Sequence, residues 1–186
     1  MEPILTWDRE IYRSIHIGLH HPAWDNVFLL LTYSGDGWQA AFLAIACFHR
    51  PWRRVCLAAL ASWALAGLVR LPLAAAIGRM RPSNFLWSHP LEKILNSNSF
   101  PSGHTTTSFA IAICIALCTR GTKGWWIGAL AIVWAAAVGF SRVYIGVHYP
   151  FDALGGVGMG AASAATVYLI FREKGWFKEA DAKDPA

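Results

Sequence analysis

Charge is scarce in this chain. Only 15% of its 186 residues are Asp, Glu, Lys or Arg, while 55% are hydrophobic and ten are tryptophan, a balance outside that of an ordinary soluble domain. A secretory leader is also missing: "MEPILTWDRE" mixes acidic, basic and apolar residues where a signal peptide would be uniformly apolar. Insertion is therefore expected to rely on later apolar runs. Cysteine is limited to Cys47, Cys56, Cys114 and Cys118, all in or beside apolar runs. Nothing nearby completes a metal set, so buried thiols are expected. No carboxylate cluster of the kind that holds magnesium is visible either. The net charge of +5 raises nucleic acid as a partner, but the basic residues form no stripe with interleaved aromatics, and this argues against it.

What is present is a set of apolar runs, at about 26–48, 55–78, 105–119, 125–140 and 151–171, each expected to cross a membrane. The second carries one charge, Arg70, in 24 residues, long enough for a hydrocarbon core of about 30 Å. The first contains "SGDG" at 34–37, where a break is expected. Ahead of these runs Ile4, Leu5, Ile11, Tyr12, Ile15 and Leu19 recur at helical spacing with Asp8, Arg9 and Arg13 among them, the pattern of an amphipathic helix at the interface. The expected fold is thus an all-α integral membrane protein: an interfacial helix over 1–22, a five-span membrane domain over 23–172 and a tail over 173–186.

The basic connections are "HRPWRR" (49–54), "TRGTKG" (119–124) and the tail from Arg172. With five spans they share one side, which the positive-inside rule makes cytoplasmic. Connections 79–104 and 141–150 then face outward. Gly156 and Gly160 stand at GxxxG spacing, expected to serve close helix packing.

Three polar clusters fall at the outward ends of spans: "GRMRP" (78–82), "FPSGHTTTS" (100–108) and "SRVYIGVHYPFD" (141–152). Pro101 and Ser102 open an apolar run and so mark a helix N-terminus, where free N–H groups and the helix dipole favour an anion. Ser102 is a candidate cap, Gly103 permits close approach of a ligand to the backbone, and His104 stands in the first turn. Arg81 and Arg142 offer planar donor forks suited to phosphate oxygens. For Arg79 a role against lipid head groups is an equally good reading. Pro150 suits the first turn of the last helix, which lets Asp152 reach back toward His148 and leave one ring nitrogen free to attack. A helix-dipole role for Asp152 and an interfacial role for His148 are the alternative. Trp87, His89 and Lys93 lie on the loop over 83–99, a simple connection or a lid.

Together "RP" at Arg81 and Pro82, "PSGH" at 101–104, and Ser141, Arg142, His148 and Asp152 resemble the type 2 phosphatidic acid phosphatases. That family shares its phosphate site with vanadium haloperoxidases and glucose 6-phosphatase. The motifs occupy about residues 70–160, and their order and spacing are specific. The resemblance implies a membrane lipid phosphatase of the bacterial inner membrane, multi-pass, with its site on the periplasmic or extracellular face and without metal or other cofactor. His148 would attack phosphorus to form a phosphohistidine, oriented by Asp152. His104 would act as acid and base, and Arg81, Arg142, Ser102 and the Gly103 amide would hold the phosphate. The substrate would be phosphatidic acid, phosphatidylglycerol phosphate, a lipid A phosphate or undecaprenyl diphosphate. One position departs: Ala74 stands where the family has lysine, leaving Arg70 or Arg79 as replacements. Undecaprenyl diphosphate phosphatases of the family can also lack that lysine, which tilts the reading toward them. A phosphotransferase built on the same phosphohistidine, a transporter lined by Arg70, and a metal site of His104, His148 and Asp152 are the competing readings.

Overall fold

A computed structural model of the chain describes residues 2–85, 87–94 and 96–177. Seven α-helices are present among the described residues: α1 (Glu2–His16), α2 (Pro22–Ser34), α3 (Trp38–Ala46), α4 (Arg53–Ile77), α5 (Gly103–Thr119), α6 (Trp125–Tyr144) and α7 (Pro150–Glu173). No strand occurs among the described residues. The described residues are all-α: a bilayer satisfies backbone groups only within a helix or a closed barrel, and apolar runs of helical length select the helix. Most of the expected tail, residues 178–186, lies outside the described residues.

Among the described residues three helices are long and apolar enough to cross a membrane: α4 with its leading 3-10 turn, α6 and α7. Helix α5 is apolar but has only 17 residues, about 26 Å of helix. The run at 26–48 is divided into α2 and α3 by Gly35–Gly37. Glycine and aspartate are poor helix formers, and a Cβ at Gly35 would lie 2.4 Å from Val138 Cγ1 of α6, so this break needs a residue without a side chain.

Helix α1 ends at His16, short of the 22 residues expected. His21 is extended, as favoured for a residue before proline, and Pro22 opens α2. The helix is amphipathic in the opposite sense to one packing its apolar face on a core. Ile4, Leu5, Trp7 and Ile11 are exposed, whereas Asp8, Tyr12 and His16 are buried. A helix docked on a bundle within lipid keeps its polar stripe toward protein.

Helix α5 is the centre, buried along most of its length between α4, α6 and α7. Small residues set its spacing. A Cβ at Gly160 would fall 2.6 Å from Thr106 O, one at Gly156 2.9 Å from Thr105 Cβ, and one at Gly128 2.5 Å from Ala116 Cα. Backbones of α6 and α7 therefore lie directly on α5, the small-residue packing that stands in for a hydrophobic driving force in membranes. Cys56 and Cys114 are buried, Cys47 and Cys118 half-buried, and all four are free thiols.

The close α5–α7 contact places the N-terminus of each beside the other: Ser102 N–H donates to Asp152 O at 2.9 Å. The C-terminal ends of α4 and α6 meet there too, so the three polar clusters share one end of the bundle. The basic connections gather at the other end. Arg54 Nη1 donates to Trp176 O at 2.9 Å, and Trp52 abuts Gly124.

Gly160→Val is expected to lower the unfolding temperature in detergent and the folded yield, since overpacking costs about 1–3 kcal/mol or more. Gly158, whose Cβ would meet nothing within 4 Å, is the comparator: Gly158→Ala should unfold at or slightly above the wild-type temperature.

Candidate active site

The nucleophile candidate sits on the turn between α6 and α7. Gly146 has φ +86°, a left-handed conformation that glycine adopts without cost, and a Cβ there would strike the His16 ring at 2.6 Å. The turn is further tied by Val147 N–H and His148 N–H to Arg142 O, each at 3.2 Å. His148 is thereby held inside the protein, 1% exposed. Arg81 Nη1 lies 2.9 Å from His148 Nε2. A guanidinium only donates, so Nε2 carries the lone pair and the ring proton sits on Nδ1. That proton faces Asp152 Oδ2 at 3.5 Å and Ser99 Oγ at 3.4 Å. Such long contacts are common in catalytic sites without substrate.

Asp152 is fully buried and well supplied with donors. Its Oδ2 accepts Tyr149 N–H at 2.8 Å and the Ser99 hydroxyl, and its Oδ1 accepts Arg79 Nη1–H at 2.7 Å. The carboxylate is thus fixed in one rotamer beside His148. Burial, joined by the charges of Arg81 and Arg142 and only partly offset by Asp152, leaves the His148 imidazole with a pKa lowered to about 4. It is neutral throughout the physiological range, as a nucleophile must be.

Arg81 is 5% exposed, and its described hydrogen bonds go to Ser97 O at 3.0 Å, Val147 O at 3.2 Å and the imidazole. No carboxylate is paired with it among the described residues. Burial, then the charge of Arg142, lower its pKa to about 10, so it stays charged at neutral pH. Arg142 is 1% exposed. Its Nη1 lies 3.0 Å from Glu92 Oε2, but the two are misaligned for a hydrogen bond, and Arg142 Nε and Nη1 have no hydrogen-bond partner among the described residues. His104 follows Ser102 and Gly103 in the first turn of α5, and Ser102 N–H is bonded to Asp152 O at 2.9 Å.

Helix α5 brings the remaining candidates. Ser102 is at the N-cap position, yet its side chain caps no backbone N–H; its Oγ instead accepts the Thr105 hydroxyl at 2.9 Å. His104 Nε2 stands 3.6 Å from Asp36 Oδ1, an aspartate supplied by the break between α2 and α3. Arg70 lies against the "PSGH" turn, 3.5 Å from Pro101 O, with its Nε 3.2 Å from where a Gly103 Cβ would be. It therefore fills the side of the site that Ala74, buried one turn on, does not. Arg79 differs from expectation. Its guanidinium is held by Asp8 and Asp152 and lies over the Tyr149 ring at 4.2 Å, so two carboxylates already engage it. The metal reading finds no support: among the described residues no group of three or more His, Cys, Asp or Glu is gathered to hold an ion.

Three participants escaped sequence reading. Asp8 was grouped with Arg9 and Arg13 on a polar face, although its i, i+4, i+8 relation to Tyr12 and His16 marks a stripe of its own. Ser99 and Glu92 lie in the loop, which has no periodicity to read. Of the loop residues singled out, Trp87 packs on Tyr12 and His89 and Lys93 are exposed.

The sequence pattern described as the PAP2 superfamily matches residues 55–176. The chain belongs to the PAP2 superfamily. It is 32% identical over 166 residues to undecaprenyl-diphosphatase BcrC of Bacillus subtilis, covering 88% of this chain and 82% of that one. A lipid A 4'-phosphatase of Bacteroides thetaiotaomicron is 28% identical over 82% of this chain and 72% of its own. Among solved structures, the PAP2-type phosphatidylglycerolphosphate phosphatase from Bacillus subtilis superposes with a TM-score of 0.77 at 26% identity, covering 94% of this chain and 88% of that one. Aquifex aeolicus LpxE gives 0.74 at 27%, covering 85% and 92%. This PAP2 chain is a membrane phosphatase, a hydrolase of phosphate esters.

The tautomer and low proton affinity of His148 are open to measurement. In protein labelled with 15N-histidine in detergent, His148 is expected to show an Nδ1–H imidazole with unprotonated Nε2 from pH 8 down to about pH 5, charging only near pH 4. A doubly protonated ring at pH 6 would contradict the geometry.

Proposed function

We propose that the chain hydrolyses a polyprenyl diphosphate at the outer face of the cytoplasmic membrane through a phosphohistidine on His148, with no metal. The observation that carries this is the pair of buried arginines beside His148: Arg81 has no carboxylate partner among the described residues, and Arg142, though its charge is paired with Glu92 at 3.0 Å, keeps two nitrogens without hydrogen-bond acceptors. Buried charge left unpaired is costly, and a tetrahedral phosphate dianion satisfies both guanidinium forks at once. The N-terminus of α5 at Gly103 adds backbone N–H groups to the same volume, and Arg70 takes the place of the family lysine. The undecaprenyl substrate is favoured by Ala74 and by the similarity to the Bacillus subtilis undecaprenyl-diphosphatase. A groove of about 530 Å³ opens beside His104, its walls including Trp63, Gly67, Leu68 and Leu71. It suits an alkyl chain leading to a polar head.

In the first step the Nε2 lone pair of His148 bonds to the terminal phosphorus and the bond to the bridging oxygen breaks. His104 supplies the proton to the departing lipid phosphate, a role suited to an imidazole. Arg81 moves its Nη1–H from Nε2 to a phosphoryl oxygen, which uncovers the nucleophile. Arg81, Arg142 and the α5 amides stabilise charge on the equatorial oxygens. In the second step water attacks phosphorus, His104 accepts its proton, and the P–N bond breaks to release phosphate and restore the imidazole. Gathering of the basic connections at the opposite end supports the outward orientation under the positive-inside rule.

Phosphate release from a panel of undecaprenyl diphosphate, phosphatidylglycerol phosphate, phosphatidic acid and lipid A tests the proposal. The diphosphate should be cleaved fastest, with His148→Ala reducing kcat at least about a thousandfold while the protein remains folded. Vanadate should inhibit and EDTA should not. Near wild-type activity in His148→Ala, or loss on chelation, would refute the mechanism; a phosphorylated acceptor in place of free phosphate would mark a transferase. Arg70→Ala should lower kcat/KM for the diphosphate by about ten- to a hundredfold, as for loss of one charge-assisted phosphate contact.

A further inference from the structure

We infer that Asp8 on the N-terminal helix is a positioning residue for the reaction: it anchors Arg79 so that Arg79 fixes the carboxylate of Asp152, which in turn orients His148. This rests on the reading of His148 as nucleophile. Asp8 is fully buried on a helix whose Ile4, Leu5, Trp7 and Ile11 face outward. A carboxylate in that setting is retained only where it is paired. Its two oxygens are both engaged: Oδ2 accepts Arg79 Nη2–H, and Oδ1 accepts Phe151 N–H at 2.9 Å. Phe151 lies in the first turn of α7, where backbone N–H groups lack helical partners, one residue before Asp152. Asp8 therefore touches both the arginine and the helix end that place Asp152.

Arg79 has one fork nitrogen on each carboxylate, Nη2 on Asp8 and Nη1 on Asp152, and its plane rests on Tyr149. With Asp152 Oδ1 taken in this way, Oδ2 is left to face Ser99, Tyr149 N–H and the His148 ring. The trio of Asp8, Arg79 and Asp152 carries a net charge of one negative unit. That surplus meets the imidazole as Nε2 bonds phosphorus and the ring gains positive charge. The other groups bearing on that ring are Arg81, Arg142, Ser99 and His104. Without Asp8, Arg79 loses its second anchor and holds Asp152 Oδ1 less firmly.

Docking of α1 does not depend on Asp8 alone. Tyr12 OH donates to Gly146 O at 3.2 Å, and the His16 ring meets Tyr144 O at 2.7 Å. Tyr12→Phe therefore loosens the same helix without touching either carboxylate, and separates positioning from docking.

The experiment compares wild type, Asp8→Asn, Arg79→Gln, the double variant and Tyr12→Phe as full-length protein in detergent. It measures kcat and KM with undecaprenyl diphosphate, and the 15N-histidine signal of His148 without substrate. Asp8→Asn should lower kcat about ten- to a hundredfold, the usual loss when a partner that orients a working histidine is removed, with KM changed less than about threefold. The double variant should match Arg79→Gln, because Asp8 acts through Arg79. The His148 Nδ1–H signal should shift or broaden in Asp8→Asn and stay in place in Tyr12→Phe, whose kcat should remain within about twofold of wild type. Wild-type kcat in Asp8→Asn, additive losses in the double variant, or an equal loss in Tyr12→Phe would overturn the inference. If Asp8→Asn does not fold, the double variant, which removes both charges together, should fold and turn over like Arg79→Gln; failure to do so would also overturn it. Absence of lipid phosphate turnover in wild type would refute the proposed function instead, and the His148 signal would still report on Asp8.

Discussion

Arg81 Nη1–H donates to the unprotonated Nε2 of His148, and the organisation of the site follows from that contact. An arginine buried without a carboxylate is unfavourable in an apolar bundle, and a neutral imidazole offers it a lone pair but no countercharge. The pairing is stable only because Val147 O and Ser97 O take the other donors and because Asp152 stands behind the ring. The arrangement keeps a buried imidazole neutral at physiological pH.

Packing explains how residues from four helices reach that point. Glycine at 156 and 160 lets α7 lie on the backbone of α5, so the "PSGH" turn and the first turn of α7 share a hydrogen bond between Ser102 and Asp152. Arg81 follows the end of α4, whose C-cap Gly78 is left-handed, and Arg142 sits on the last turn of α6. The N-terminal helix closes the arrangement from the side. It contributes a buried polar stripe of Asp8, Tyr12 and His16 rather than an apolar one.

Much of this was legible in the sequence because chemistry in an apolar chain is conspicuous. Arg142, His148 and Asp152 interrupt a hydrophobic stretch, and alternating spans alone place them with Arg81 and His104. The break at Gly35–Gly37 was also readable from residues that resist helix formation. Other features were not. The role of Arg79 depends on which neighbour takes its guanidinium, and that neighbour, Asp8, is 71 residues away. The burial of Asp8 is not readable either, because helical periodicity reports two faces without saying which one meets lipid. Span counting met a similar limit: α5 is only 17 residues long, and its burial by three neighbours comes from helix packing, which length and hydropathy do not encode. Glu92 and Ser99 sit on a loop positioned by single long-range contacts, such as Leu91 N–H to Ile145 O at 3.0 Å, for which no local signal exists.

Rapid quench of the enzyme during turnover of undecaprenyl diphosphate labelled in its terminal phosphate, followed by digestion at neutral to alkaline pH and mass spectrometry, tests the central claim most directly. The account predicts an acid-labile, alkali-stable phosphoryl group on the peptide containing His148, forming and decaying fast enough to carry turnover and absent from His148→Asn. Turnover at full rate with no phosphorylated His148, or with the label on another residue, would contradict it.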